Sequence, residues 1–189
     1  MGKVVSIKKA RKERKCSKCG RVIEVGQPYK KGVINFHPDI IRCVKCGLKS
    51  YEVTTSEYCK EVGAICEDWC ELYGIDESTV DSIVENLRDL MSQCEDSLEN
   101  MPENLRESSS TGETLQSRID NLGEVIDELE QISPDDLRRE AEESATDEIG
   151  EDGYDTEAER EEAIDNLTQE LFEESLSSAI EEAISSLEY

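Results

Sequence analysis

At 189 residues the chain is long enough for one medium domain or for a small domain with an extended part. With 36% hydrophobic and 35% charged residues, one Trp and two Phe, it has too few large apolar groups for a generous single core, so an open or elongated shape is expected. The formal net charge of -25 is unevenly held: residues 1–49 carry 14 Lys and Arg against 3 Asp and Glu, whereas residues 50–189 carry 7 against 43.

Apolar runs are only a few residues long, which excludes a membrane-spanning helix. The first cations are not followed by an apolar stretch, so no secretory signal is expected. A cytoplasmic, reducing setting is the default that follows. The eight cysteines are then read as metal ligands and buried thiols rather than disulfides.

Residues 1–11 read as a basic arm, the start of "KVVSIKKARKERK", whose cations are Lys3, Lys8, Lys9, Arg11, Lys12, Arg14 and Lys15. Residues 12–50 read as a finger. Cys16, Cys19, Cys43 and Cys46 form two CxxC pairs, each followed by a glycine, Gly20 or Gly47. Two residues between thiolates let one tight turn present both sulfurs to one ion, and glycine takes the positive φ that such a turn needs. Four thiolates complete a tetrahedron with no open position, the pattern of a single structural Zn2+ site.

Between the pairs, Val22, Ile23 and Val25 predict one strand, "VGQP" a turn and "YKKGVINF" a second strand. A hairpin between metal-binding turns fits a zinc ribbon or a treble clef. Val22, Ile23, Tyr29, Val33, Ile34, Phe36 and Ile41 are its expected mini-core. His37, the only histidine, is unnecessary beside four thiolates, and its spacing to Cys43 fits no common finger.

Lys18, Arg21, Lys30, Lys31, Arg42 and Lys45 continue the basic character onto the finger. With Lys8, Lys9, Arg11, Lys12, Arg14 and Lys15 they are the candidate contacts to nucleic-acid phosphates. Tyr29, Phe36 and Tyr51 are candidates for base stacking. Nothing resembles a recognition helix, so such binding is expected to be weakly sequence-specific. The competing reading is that these cations neutralise the acidic remainder of the same chain, or of a partner.

Residues 54–132 predict a helical hairpin or bundle. "TTSE" reads as a capping box with Thr54 as N-cap and Glu57 at N3. Cys59, Val62, Cys66, Trp69, Cys70 and Tyr73 follow at helical spacing until Gly74. Those cysteines read as small buried residues rather than as a second metal site with Cys94.

Val80, Ile83, Leu87, Leu90, Cys94, Leu98 and Met101 step in a heptad rhythm that Pro102 ends. "RESSSTGE" reads as a loop, and Leu115, Ile119, Leu122, Ile126 and Leu129 resume the rhythm. This spacing makes an antiparallel hairpin, or a homodimer through the heptads, the expected arrangement. Residues 133–189 read as an acidic, partly flexible helical tail. It has a short helix from Pro134, a flexible "DEIGEDGYD", and a last helix presenting Ile164, Leu167, Leu171, Leu176, Ile180, Ala183 and Leu187.

The run "CSKCGRVIEVGQPY…RCVKCG…VTTSEY", followed by "SLENMPENLRESSSTGETLQSRIDNLGEVIDELE", resembles a family of small zinc-finger proteins encoded by tailed bacteriophages. The similarity runs from about residue 8 to about residue 132, and "NMPENL" is its most specific part. The resemblance implies a basic Cys-pair finger followed by an acidic helical tail, metal binding at Cys16, Cys19, Cys43 and Cys46, and a phage context. It carries no biochemical activity with it. Family members often have an aromatic, basic cluster after the tyrosine; here "YKKGVINFH" keeps the lysines and lacks tryptophan.

The sequence thus predicts a mainly α protein with a small N-terminal zinc finger and an acidic helical remainder. Catalysis is not expected, because the chain has one His, no phosphate-binding glycine loop, no nucleophile motif and a closed metal site. No small-molecule substrate or membrane is implied. The leading expectation is a zinc-binding accessory protein that contacts DNA or RNA backbone. The alternative is a protein-interaction module whose acidic helices bind a host protein.

Overall fold

The computed structural model describes residues 2–150 and 156–187. Strands β1 (Lys3–Ile7), β2 (Arg14–Lys15), β3 (Val22–Ile23), β4 (Tyr29–Val33) and β5 (Ile40–Cys43) precede helices α1 (Glu57–Tyr73), α2 (Thr79–Glu99), α3 (Glu103–Arg106), α4 (Ser110–Glu130), α5 (Pro134–Ile149) and α6 (Glu157–Ile184). The protein is mainly α with a small N-terminal β-sheet and a cysteine cluster. Its contacts divide it into two compact units, one running to Ala64 and the other beginning at Ile65. No helix among the described residues is long and apolar enough to cross a membrane.

The first unit differs from the expected hairpin. β4 is the centre of an antiparallel sheet ordered β1-β4-β5, with Ile7 opposite Tyr29 and Tyr29 opposite Cys43. β3 pairs instead with β2, Arg14 facing Ile23. The reason lies in the backbone groups of the "VGQP" turn. The Ala10 N–H donates to Gln27 O and the Gly26 N–H to Ala10 O, both at 2.8 Å. The turn is therefore satisfied by the segment after β1 rather than by a ladder between β3 and β4. Residues 3–7, set apart in sequence as an arm, are an edge strand of the sheet.

Strand alternation puts Tyr29 and Gly32 on opposite faces of β4. On one side Ala10, Cys16, Ile23, Tyr29 and Cys43 form a buried cluster with Ile7, Ile41 and Cys46 packed against it. On the other, Gly32 lies under Leu48 and Val53, so close that an added Cβ would sit 2.9 Å from Val53. Four members of the expected mini-core are outside this cluster: Val33 and Ile34 are half-buried, Val22 is 54% exposed, and Phe36 is fully exposed at 107%.

α1 begins later than its sequence signal. Ser56 is the cap, its Oγ accepting from the Cys59 N–H at 3.3 Å. Thr54 Oγ1 accepts from the Ser56 N–H at 3.2 Å and shapes the turn before the helix. Glu57 is therefore the first helical residue rather than N3. Tyr58, Val62, Ile65 and Trp69 are the buried stripe of α1, while Cys59 and Cys66 are half-buried and Cys70 is exposed. The cysteines lie on the flank because the bulkier apolar side chains, which lose more by exposure, take the centre. Gly63 lets Tyr51 lie directly against α1: a Cβ there would fall 2.2 Å from Tyr51 Cβ.

In the second unit, α2 packs on α4, α5 on α6, and α4 also touches α6. The heptad residues Leu87, Leu122 and Leu129 have no exposed surface, so both seams are used within one chain. Arg88 pairs with Glu130, joining the first half of α2 to the end of α4 as an antiparallel hairpin requires.

The expected loop "RESSSTGE" is largely helical, with Arg106 ending α3 and Ser110–Glu113 opening α4. Pro102 opens α3, the Arg106 guanidinium donates to Glu99 O at 2.7 Å, and Ser109 Oγ caps α4 by accepting from the Gly112 N–H. Arg106 thereby satisfies a carbonyl that the end of α2 leaves unpaired. Gly112 abuts Arg106 O, where a Cβ would lie at 2.2 Å.

The acidic C-terminal helices are also packed. Ser133 caps α5, a 16-residue helix rather than a short one, and Thr156 with Glu159 forms a capping box on α6. Thr168, Phe172, Leu176, Ile180 and Ile184 make a buried stripe at steps of four. Each step advances the stripe by about 40° round the helix. Such winding suits a helix that meets two neighbours, α5 and α4. Phe172, absent from the expected apolar face, is completely buried, with the Arg138 guanidinium 4.3 Å from its ring centroid. Arg138 also pairs with Glu77 at 2.6 Å. Most of the expected flexible "DEIGEDGYD" segment, residues 151–155, lies outside the described residues.

These contacts give alanine substitutions of opposite sign. Gly123, inside α4, has open space at its Cβ position. Gly123→Ala should raise the urea midpoint through a gain of about 0.5–1 kcal/mol. Gly63→Ala must displace Tyr51 and should cost about 1–3 kcal/mol by the same measurement.

Candidate metal centre

The site is made by two similar turns. In the first, between β2 and β3, the Gly20 N–H returns to Cys16 O at 2.9 Å; in the second, at the end of β5, the Gly47 N–H returns to Cys43 O at 3.1 Å. Both glycines have positive φ, 71° and 64°, a conformation that costs a residue with a Cβ about 1–2 kcal/mol. The second pair follows a strand and does not head a helix, which is the ribbon rather than the treble-clef arrangement.

What brings the turns together is Ser17, within the first CxxC. Its N–H and its Oγ both donate to Ile41 O, at 2.8 and 2.7 Å, two residues before Cys43. The Arg42 guanidinium donates to Ser17 Oγ and, at 3.2 Å, to Glu52, whose other oxygen accepts from the Lys49 N–H at 2.8 Å. This hydrogen-bonded frame was not anticipated. A serine inside the CxxC was its only visible sign, and its partners lie 24 and 25 residues away.

The four sulfurs all lie within 4.8 Å of one another, and Cys19 Sγ is 3.9 Å from Cys43 Sγ. A tetrahedral zinc with bonds of about 2.3 Å needs sulfur–sulfur separations of about 3.8 Å. Donor type, number and spacing are therefore compatible with a single zinc ion. Cys16 and Cys43 are buried, Cys46 is half-buried and Cys19 is exposed at the rim. Among the described residues this is the one such cluster; neither His37 nor the helical cysteines form another. Burial, with Glu67 nearby, pushes the Cys66 thiol up to about 11.

The electrostatics of the metal-free cluster suit ligand duty. Burial opposes ionisation of Cys16, but the backbone amides of Cys19, Cys43 and Lys18 outweigh it and hold the thiol down at about 6. Cys43 is lowered chiefly by the Cys46 amide. Cys46 is pushed up to about 12, first by the sulfur of Cys19 and then by that of Cys43, so it keeps its proton until a metal displaces it.

The candidate phosphate contacts divide into two groups. Lys8, Lys9, Arg11, Lys12, Lys15, Lys18, Arg21 and Lys45 are exposed. Arg42 serves the frame just described, Lys31 pairs with Asp39 at 2.8 Å, and Arg14 and Lys30 are half-buried in strands. Of the stacking candidates, Tyr29 and Tyr51 are each only 8% exposed and present no open ring; Phe36 alone does.

The fold and site define a small basic ribbon with a four-cysteine cluster compatible with a single zinc ion, followed along the chain by an acidic helical unit. No protein-family model, curated protein or solved structure matches the chain.

One zinc per chain is expected by elemental analysis. Cys16→Ser and Cys43→Ser should each abolish it and unfold the first unit while the helical circular dichroism largely persists; native zinc content in both variants would exclude the assignment. Zinc affinity should also fall monotonically from about pH 8 to about pH 5 in a chelator competition, because protons compete for the sulfurs. The sign matches that of Cys16, whose lowered thiol favours the folded finger above the ordinary value of 9.0 and loses that contribution as the pH falls through about 6.

Proposed function

We propose that this is a zinc-binding accessory protein that contacts the phosphate backbone of nucleic acid through its ribbon, without strong sequence preference, in the phage setting that the family resemblance implies. The observation carrying this reading is the set of eight exposed cations on the metal-stapled unit. Lys8, Lys9, Arg11 and Lys12 flank the buried Ala10 between β1 and β2, and Lys15, Lys18, Arg21 and Lys45 lie on or beside the two cysteine turns. Fixed cations on a small rigid module suit phosphates, because each one neutralised releases a counterion.

Two features support weak specificity. β1 and β5 are edges of a three-stranded sheet, and the exposed cations, Lys15 of β2 apart, lie outside the strands. No helix of this unit offers a basic face for a major groove, since the first half of α1 is packed through Tyr58, Val62 and Gly63. In this reading the zinc is structural and the protein is not an enzyme.

The test is a titration of the full zinc-loaded chain with single- and double-stranded DNA and RNA over a range of salt. A linear fall of log affinity with log salt is expected. Replacing Lys8, Lys9, Arg11 and Lys12 together by Ala should lower the slope by roughly 3–4. Absence of binding at low salt would overturn the reading and turn attention to protein partners of the acidic helices.

A further inference from the structure

The turn Ile34–His37, closed by the His37 N–H donating to Ile34 O at 3.2 Å, holds Phe36 at φ 62°. This is the third position of the turn, where glycine or asparagine is the usual occupant because φ must be positive. Phe36 is the one non-glycine residue with positive φ among the described residues, and its side chain is fully exposed. A bulky residue in this conformation is strained by an amount of the order of 1–2 kcal/mol and gains no packing in return. The sequence thus keeps an aromatic ring where both backbone and burial favour its absence.

Asn35 and His37, on either side of Phe36, line a groove of 620 Å³ together with Lys3, Val5, Thr54 and Thr55. In a chain with 46 Asp and Glu, no carboxylate among the described residues lines this groove. Its walls offer a cation, amide and hydroxyl groups, an imidazole and a short apolar strip. That chemistry matches an unpaired nucleotide, with a flat π-face for the ring, polar edges for the amide and hydroxyls, and a phosphate for the ammonium.

We propose that Phe36 and the adjoining groove form a single-stranded nucleic-acid subsite in which the Phe36 ring stacks on one unpaired base. This rests on the nucleic-acid reading above and deepens it, distinguishing single strands from duplex. An apolar peptide would use the same ring but draw nothing from the cations around it; their abundance on this unit favours the nucleotide.

The geometry supplies a variant that cannot be dismissed as misfolded. Phe36→Gly removes the ring and relieves the positive-φ strain, so its thermal midpoint should equal or exceed that of the parent chain. Its affinity for an oligothymidylate should nonetheless fall about tenfold, within the roughly 5- to 150-fold range of losing one stacked base, while the salt slope stays unchanged. Phe36→Trp should restore binding; Phe36→Leu, apolar but without a π-face, should not. Duplex affinity should move by less than about twofold in all three.

If Phe36→Gly binds the oligonucleotide like the parent, while the Lys8, Lys9, Arg11 and Lys12 replacement loses binding, the stacking subsite is wrong and the phosphate reading stands. If Phe36→Leu restores binding as well as Phe36→Trp, the contact is merely apolar and the proposal fails. If the parent chain binds no nucleic acid at low salt, both readings fall together.

Discussion

The N-terminal unit depends on the convergence of four sulfurs. On the sheet face that carries the sulfurs the buried cluster is five residues, two of them the cysteines themselves, and Leu48, Tyr51, Val53, Tyr58 and Val62 are the further buried apolar residues of the unit, a modest core to set against its conformational entropy. A zinc ion held by the four sulfurs would add to that core, since the binding energy of a structural zinc, of the order of 10 kcal/mol or more, is also folding energy. Cys16 and Cys43 are then core residues as well as members of the sulfur cluster. Cys16 and Cys43 face inward with Ile23 and Tyr29, whereas Cys19 and Cys46 close the cluster from the side nearer solvent.

The frame around those sulfurs makes this economical. Ser17 ties the first turn to β5 just before Cys43, and Arg42 and Glu52 brace the same point. One cation is thereby taken out of any contact with an outside ligand. Of the exposed cations, Lys18 and Lys45 sit within the two cysteine turns, and Lys8, Lys9, Arg11 and Lys12 lie between β1 and β2.

The helical unit solves a different problem. It has abundant length but few large side chains, so it uses two pairs of helices, with Leu87 and Leu122 interior to one and Phe172 to the other. Carboxylates at this density repel one another. They are accommodated on the outer faces, and several are drawn into caps, as with Asp76 before α2 and Glu159 on α6. Arg88 and Arg138, two of the seven cations after residue 49, pair with carboxylates brought close by the helix packing.

The sequence alone determined the four-cysteine cluster, because CxxC spacing and the following glycines are local requirements of a turn. It likewise determined the helical class of the remainder and the inward faces of α2 and α4, because a period of three to four residues is legible wherever one side of a helix is buried. Only the tertiary structure decided which strand pairs with which. Val22–Ile23 could have laddered onto Tyr29–Val33 until Ala10 took the backbone groups of the turn between them. It alone decided that Tyr29 and Tyr51 are interior while Phe36 is not, since an aromatic in a short sheet is hidden or displayed by neighbours distant in sequence. Phe172 and the winding stripe of α6 were hidden for a related reason. A helix that meets two neighbours in turn has no single apolar face, so its periodicity blurs although every residue on the stripe is buried.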